Sequence, residues 1–166
     1  MENGNSSLLF LLFVACVALF VWRTGAGLPP IVASHFGTSG TANGFMPRTF
    51  YVRFMLAFVL GLPTLMTFVT WHALGSSKAR INLPNRDYWL APEQYAETIA
   101  YLRSGLLQFG LLLVTFLGYV HWLVVLANRV QPARLPESWF FGGLGVFLVA
   151  LFIWLKRLIG HFRDVP

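Results

Sequence analysis

Four stretches of the chain are apolar without alternation, Leu8 to Trp22, Phe50 to Leu74, Leu106 to Ala127 and Trp139 to Leu155, and polar or turn-forming residues collect between them. Runs with no period-two signal predict helices rather than strands. A hydrocarbon layer about 30 Å thick needs roughly 20 helical residues, which the second and third runs supply. The shorter first and last runs reach across by borrowing Ser6, Ser7, Lys156 and Arg157, whose longer stems snorkel. Lipid offers no partner to a backbone N–H or C=O, so each crossing segment must close its own hydrogen bonds. The expected fold class is therefore all-α: one integral membrane four-helix bundle over residues 1–166, with spans near 8–22, 50–74, 106–127 and 139–155.

The connections carry their own signals. Between Arg23 and Arg48 stand Gly25, Gly27, Pro29, Pro30, Gly37, Gly40 and Gly44, a density of turn formers that disfavours a long regular element and predicts a Gly/Pro-rich outer loop capping the bundle. The inner connection passes Gly75-Ser76-Ser77 and Asn82-Leu83-Pro84-Asn85, then offers Ala91 to Arg103 as a short interfacial helix. Pro92 suits its first turn, Glu93 its N-terminal end and Arg103 its last turn. Tyr88, Trp89, Tyr95 and Tyr101 suit headgroup depth. Ala57 with Gly61, and Gly142 with Gly143 and Gly145, offer small surfaces for close helix approach, and Pro63 predicts a kink in the second span.

Composition removes the soluble alternatives. With 57% hydrophobic and 11% charged residues and a mean hydropathy of +0.66, the chain has more apolar surface than a core of 166 residues can hide. The net charge of +6 does not indicate nucleic acid, because the basic residues sit at helix ends and form no stripe. They read instead as orientation: Lys78, Arg80, Arg86, Arg103, Lys156, Arg157 and Arg163 lie on the side of both termini, against Arg23, Arg48, Arg129 and Arg134 on the other. Cytoplasmic termini are the expected topology. The single Cys16 lies inside the first run, which rules out an intrachain disulfide. That run continues past Cys16 to Trp22 with no basic residue before it, so a retained helix is expected rather than a cleaved leader.

Candidate chemistry is sparse. His35 is a titratable group on a Gly-flanked loop, able either to pin the loop to the bundle through a backbone carbonyl or to meet a ligand. Arg53, about one turn into the second span, and His121, in the last third of the third, belong to the same leaflet. With His35, Phe36, Tyr51 and Tyr119 they either line a polar pocket under the loop or act separately, Arg53 snorkelling and His121 bonding a neighbouring helix. Arg86, Tyr88 and Trp89 are candidates for interfacial or inner-side contact. A metal would have to recruit His35, His121 and Glu137 from separate elements, so no metal or other cofactor is expected. Ser34 beside His35 lacks an acid to orient the imidazole, and a catalytic role is not expected.

The segment Leu28-Pro29-Pro30-Ile31-Val32-Ala33-Ser34-His35-Phe36-Gly37-Thr38-Ser39-Gly40, followed by Asn43-Gly44, resembles the membrane domain of unknown function found in Sdp-type toxin-immunity proteins. Ile81 to Pro92 resembles a segment of small bacterial relatives and extends the likeness, which otherwise covers roughly residues 8–75. Asn43 stands where those relatives often carry an acidic residue before the glycine. The resemblance implies a multi-pass protein of the bacterial plasma membrane. Its implied role is non-enzymatic, of immunity or receptor type, recognising a peptide, a lipid or a membrane protein at its outer face. The competing expectation is an accessory subunit of a larger membrane complex. A transporter would show repeat symmetry and mid-membrane charge, and neither is present in the sequence.

Overall fold

The computed structural model describes residues 2–76 and 81–165, with the side chains of residues 2–4 left aside. Lys78 and Arg80, which entered the charge balance, and Ser77 lie outside the described residues. Along the chain come α1 (Glu2–Ala26), β1 (Ile31–Phe36), β2 (Ala42–Pro47), α2 (Arg48–Leu74), a single turn α3 (Arg86–Trp89), α4 (Pro92–Ala127) and α5 (Glu137–His161). Helices α1, α2, α4 and α5 are each long and apolar enough to cross a membrane, and they make the all-α membrane bundle.

α4 is the hub. It packs against α1, α2 and α5, while α1 and α2 also pack against each other; among the spanning helices described, α5 packs only on α4. The core runs down three stripes, Phe10, Val14 and Val21 on α1, Tyr51, Met55 and Val59 on α2, and Leu107, Val114, Leu117 and Val124 on α4. Spacings of three, four and seven keep each stripe on one helix face. Gly110 marks the crossing of the three helices: a Cβ there would stand 2.7 Å from Phe10 Cε2 and 2.8 Å from Thr67 Oγ1. Backbones approach closely where a small residue allows it, and between lipid-solvated helices such contact replaces the missing hydrophobic drive. Gly143 does the same for α5, since a Cβ would overlap the Tyr119 ring. The expected small surfaces at Gly61, Gly142 and Gly145 meet nothing within 4 Å and face outward. α2 continues through the buried Pro63 as one helix.

Two connections differ from expectation. The outer segment, expected as an ordered or semi-ordered loop, is a β-hairpin, with Ile31 opposite Pro47, Val32 opposite Met46 and Ala33 opposite Phe45. Apart from Gly44, which pairs with His35 inside β2, the glycines and Pro29 and Pro30 fall outside the strands, leaving β-prone Ile31-Val32 and Phe45-Met46 to pair. The interfacial helix expected over Ala91 to Arg103 is not separate: α4 runs unbroken from Pro92 to Ala127. No proline follows Pro92 within that stretch, and backbone bonds continue through Gly105.

At the α3 end, the 81–92 segment clasps the C-terminus of α5. Asn85 Nδ2 donates to the carbonyls of Phe162 and Arg163 at 3.2 and 2.7 Å, and Trp89 Nε1 donates to Phe162 O at 3.1 Å. These donors take up carbonyls that a helix end leaves unpaired. Thr98 Oγ1 donates to Trp89 O, and Tyr101 stacks on His161 at 3.8 Å, closing a second small core around Phe162.

Candidate functional site

The hairpin is mounted rigidly across the other end of the bundle. Asn128, the residue capping α4, turns its carboxamide onto β1: Ala33 N–H donates to Asn128 Oδ1, and Asn128 Nδ2 donates to Ala33 O, both at 2.9 Å. The amide thus imitates one residue of a neighbouring strand. At the base, Arg48 Nη1 donates to Ala26 O and Leu28 O at 3.1 and 3.0 Å, tying the α1 terminus to the start of α2. At the tip, Leu135 N–H donates to Gly40 O at 2.9 Å. Gly40 has φ +71°, and a Cβ would stand 2.6 Å from Leu135 O, so the tip seats only with glycine there. Val32 and Ala33 are buried by this mounting.

Between β1, the end of α4 and the start of α5 lies a cleft of about 330 Å³. Ser34, His35, Thr38 and Glu137 give it polar edges, and Val120, Leu123, Phe140 and Phe141 give it an apolar floor. His35 hydrogen-bonds through Nδ1 to Asn43 Oδ1 on the facing strand. A carboxamide oxygen only accepts, so Nδ1 carries a proton; in the neutral ring Nε2 then keeps a lone pair, with no partner among the described residues. Asn43 therefore orients the imidazole. Gly44 faces His35 across the hairpin, and a Cβ there would lie 2.8 Å from His35 Cβ. Glu137 pairs at 3.6 Å with Arg134 on the rim.

The remaining candidates do not converge on this cleft. His121 is fully buried inside the bundle, where Thr24 Oγ1 lies 2.8 Å from Nε2 and Tyr51 Oη 3.0 Å from Nδ1. Thr24 spends its only hydroxyl proton on Phe20 O at 2.7 Å, so it accepts from Nε2–H, and Tyr51 donates to a bare Nδ1. Every donor and acceptor of a neutral ring is used, which makes His121 a polar knot joining α1, α2 and α4. Arg53 lies two residues from buried Tyr51, hence on the opposite side of α2, and is exposed. Tyr119 donates to Trp139 O and ties α4 to α5. Phe36 is half-buried against the main core. Arg86 is exposed, Tyr88 half-buried, and Trp89 is enclosed in the clasp. His35, His121 and Glu137 are not gathered into a metal-ligating group among the described residues. Thr24 and Asn128, which hold the knot and the hairpin, were missed: a threonine and an asparagine near helix ends are ordinary caps by pattern, and only their long-range partners distinguish them.

Fold and site together define a multi-pass helical membrane protein bearing a rigid extramembrane hairpin. Residues 10–67, which take in most of α1, the whole hairpin and most of α2, match a domain of unknown function, DUF1648. No curated protein and no solved structure matches the chain.

Proposed function

We propose that this chain is a non-enzymatic binding protein of the immunity or receptor type that recognises a polypeptide at the hairpin end. We place that end on the outer face of the bacterial plasma membrane, with both termini cytoplasmic. The observation that carries the reading is the fixed presentation of His35: three sets of tethers immobilise the hairpin, Asn43 sets the tautomer, and Nε2 remains free beside a cleft with a hydrophobic floor. Concave apolar surface with a few oriented polar groups is the usual form of a recognition site. A pinned hairpin also loses little entropy on binding.

A second reading, the accessory subunit, draws on α5, which has no buried residue and packs on no other spanning helix than α4. The two readings separate on one experiment, purification of the tagged chain from its native membrane in mild detergent with mass spectrometry of what stays bound. A polypeptide retained by the unmodified chain and lost with His35→Ala, at equal yield and helicity, supports outer-face recognition. A stoichiometric set of membrane subunits indifferent to His35→Ala favours the accessory role. Retention of nothing refutes both.

A further inference from the structure

The two edges of the hairpin are treated differently by the fold. Ala33 gives both of its backbone groups to Asn128, which closes the β1 edge. The same bonds fix the pairing type: Ala33 and Phe45 stand opposite each other without exchanging hydrogen bonds, so the N–H and C=O of Phe45 point away from β1. Pro47 is tolerated next along because its missing N–H would also face outward. Past the Thr41–Arg134 bridge beside its first residue, β2 touches only β1 and α2 among the described elements, which leaves its outer edge open at Phe45. Beside that edge Phe45 is 60% and Ile31 57% exposed, and alternation puts both side chains on one face with Pro47.

We propose that the open edge of β2 captures an extended, apolar peptide segment as a third, antiparallel strand. The inference rests on the polypeptide-recognition reading above and specifies its mode. One residue of the incoming segment exchanges two hydrogen bonds with Phe45, and its neighbours lay alternate side chains against Phe45 and Ile31. A polypeptide strand suits this edge because one of its residues presents an N–H and a C=O together at the spacing of the Phe45 C=O and N–H. β2 carries no charged residue from Ala42 to Pro47, so charge does not blunt this edge.

The test uses the full chain in nanodiscs and a displayed random octapeptide library, with empty nanodiscs as the reference. Enrichment of peptides with alternating apolar side chains is expected. In the best of them, N-methylation of the residue that faces Phe45 should weaken binding about tenfold or more per lost bond, while methylation of its immediate neighbours, whose N–H groups face away, should not. Phe45→Pro should reproduce the loss, and the methylated peptides read the same bonds without altering the protein. Binding that His35→Ala abolishes but N-methylation leaves unchanged overturns strand addition and leaves outer-face recognition standing. Enrichment no better than on empty nanodiscs overturns both.

Discussion

Replacing Tyr51 with phenylalanine tests the polar knot inside the bundle. The ring is 3% exposed and its packing is kept, so the change removes only the hydroxyl that donates to His121 Nδ1. That nitrogen then becomes a buried acceptor with no donor, which costs about 1–3 kcal/mol in water-soluble proteins. Side-chain hydrogen bonds between membrane helices contribute less, about 0.6 kcal/mol on average and about 1.7 at most, because the dissociated helices also find partners in lipid. His121 is fully buried and braced on both nitrogens, which argues for the upper part of that range, about 1–1.5 kcal/mol or close to a tenfold shift in the unfolding equilibrium. Reversible unfolding in mixed micelles, followed by tryptophan fluorescence and far-ultraviolet circular dichroism, measures it. Thr24→Val should cost a similar amount. The double variant should fall short of the sum by about 0.5 kcal/mol or more, since both bonds brace one ring. The tautomer supplies the sharper check: ¹⁵N spectra of labelled histidine should show His121 protonated on Nε2. A ring protonated on Nδ1, or a Tyr51→Phe variant as stable as the parent, would refute the hydrogen-bond assignment.

Three further outcomes follow from the geometry. Asn128→Ala removes both bonds to Ala33 and should leave the helices intact while making the 31–47 segment sensitive to limited proteolysis, at a cost of about 1–3 kcal/mol for the stranded backbone groups. Gly142→Ala, which meets nothing, should be neutral or stabilising by up to about 1 kcal/mol through helix propensity, whereas Gly143→Ala drives a methyl into Tyr119 and should separate α5 from α4, read by cysteine cross-linking of the pair. Trp89→Ala empties the clasp and should cost about 3–5 kcal/mol locally, with faster amide exchange over residues 157–163 and no change at the hairpin.

The number of spans, their approximate positions and the all-α class were legible in the sequence, because bilayer thickness and the need to pair every backbone group leave few solutions for four apolar runs. Which face of each helix turns inward was not legible. In helices apolar all round, no polar face distinguishes core from lipid, and the choice fell to close approach at Gly110, Gly118 and Gly143 rather than at Gly61 or Gly142. The hairpin hid among turn formers because strands of six residues, with irregular register past Ala33, leave little period-two signal. His35 and His121 were both visible as candidates, yet their roles diverged for a reason no spacing encodes. Thr24 and Tyr51 arrive from other helices to saturate one imidazole, while Asn43 orients the other and leaves a nitrogen free. The sequence by itself determined the solvent in which this chain folds and how often it crosses. Tertiary structure alone decided which polar groups are used up in holding the bundle and which remain free to bind, because that depends on partners far apart along the chain.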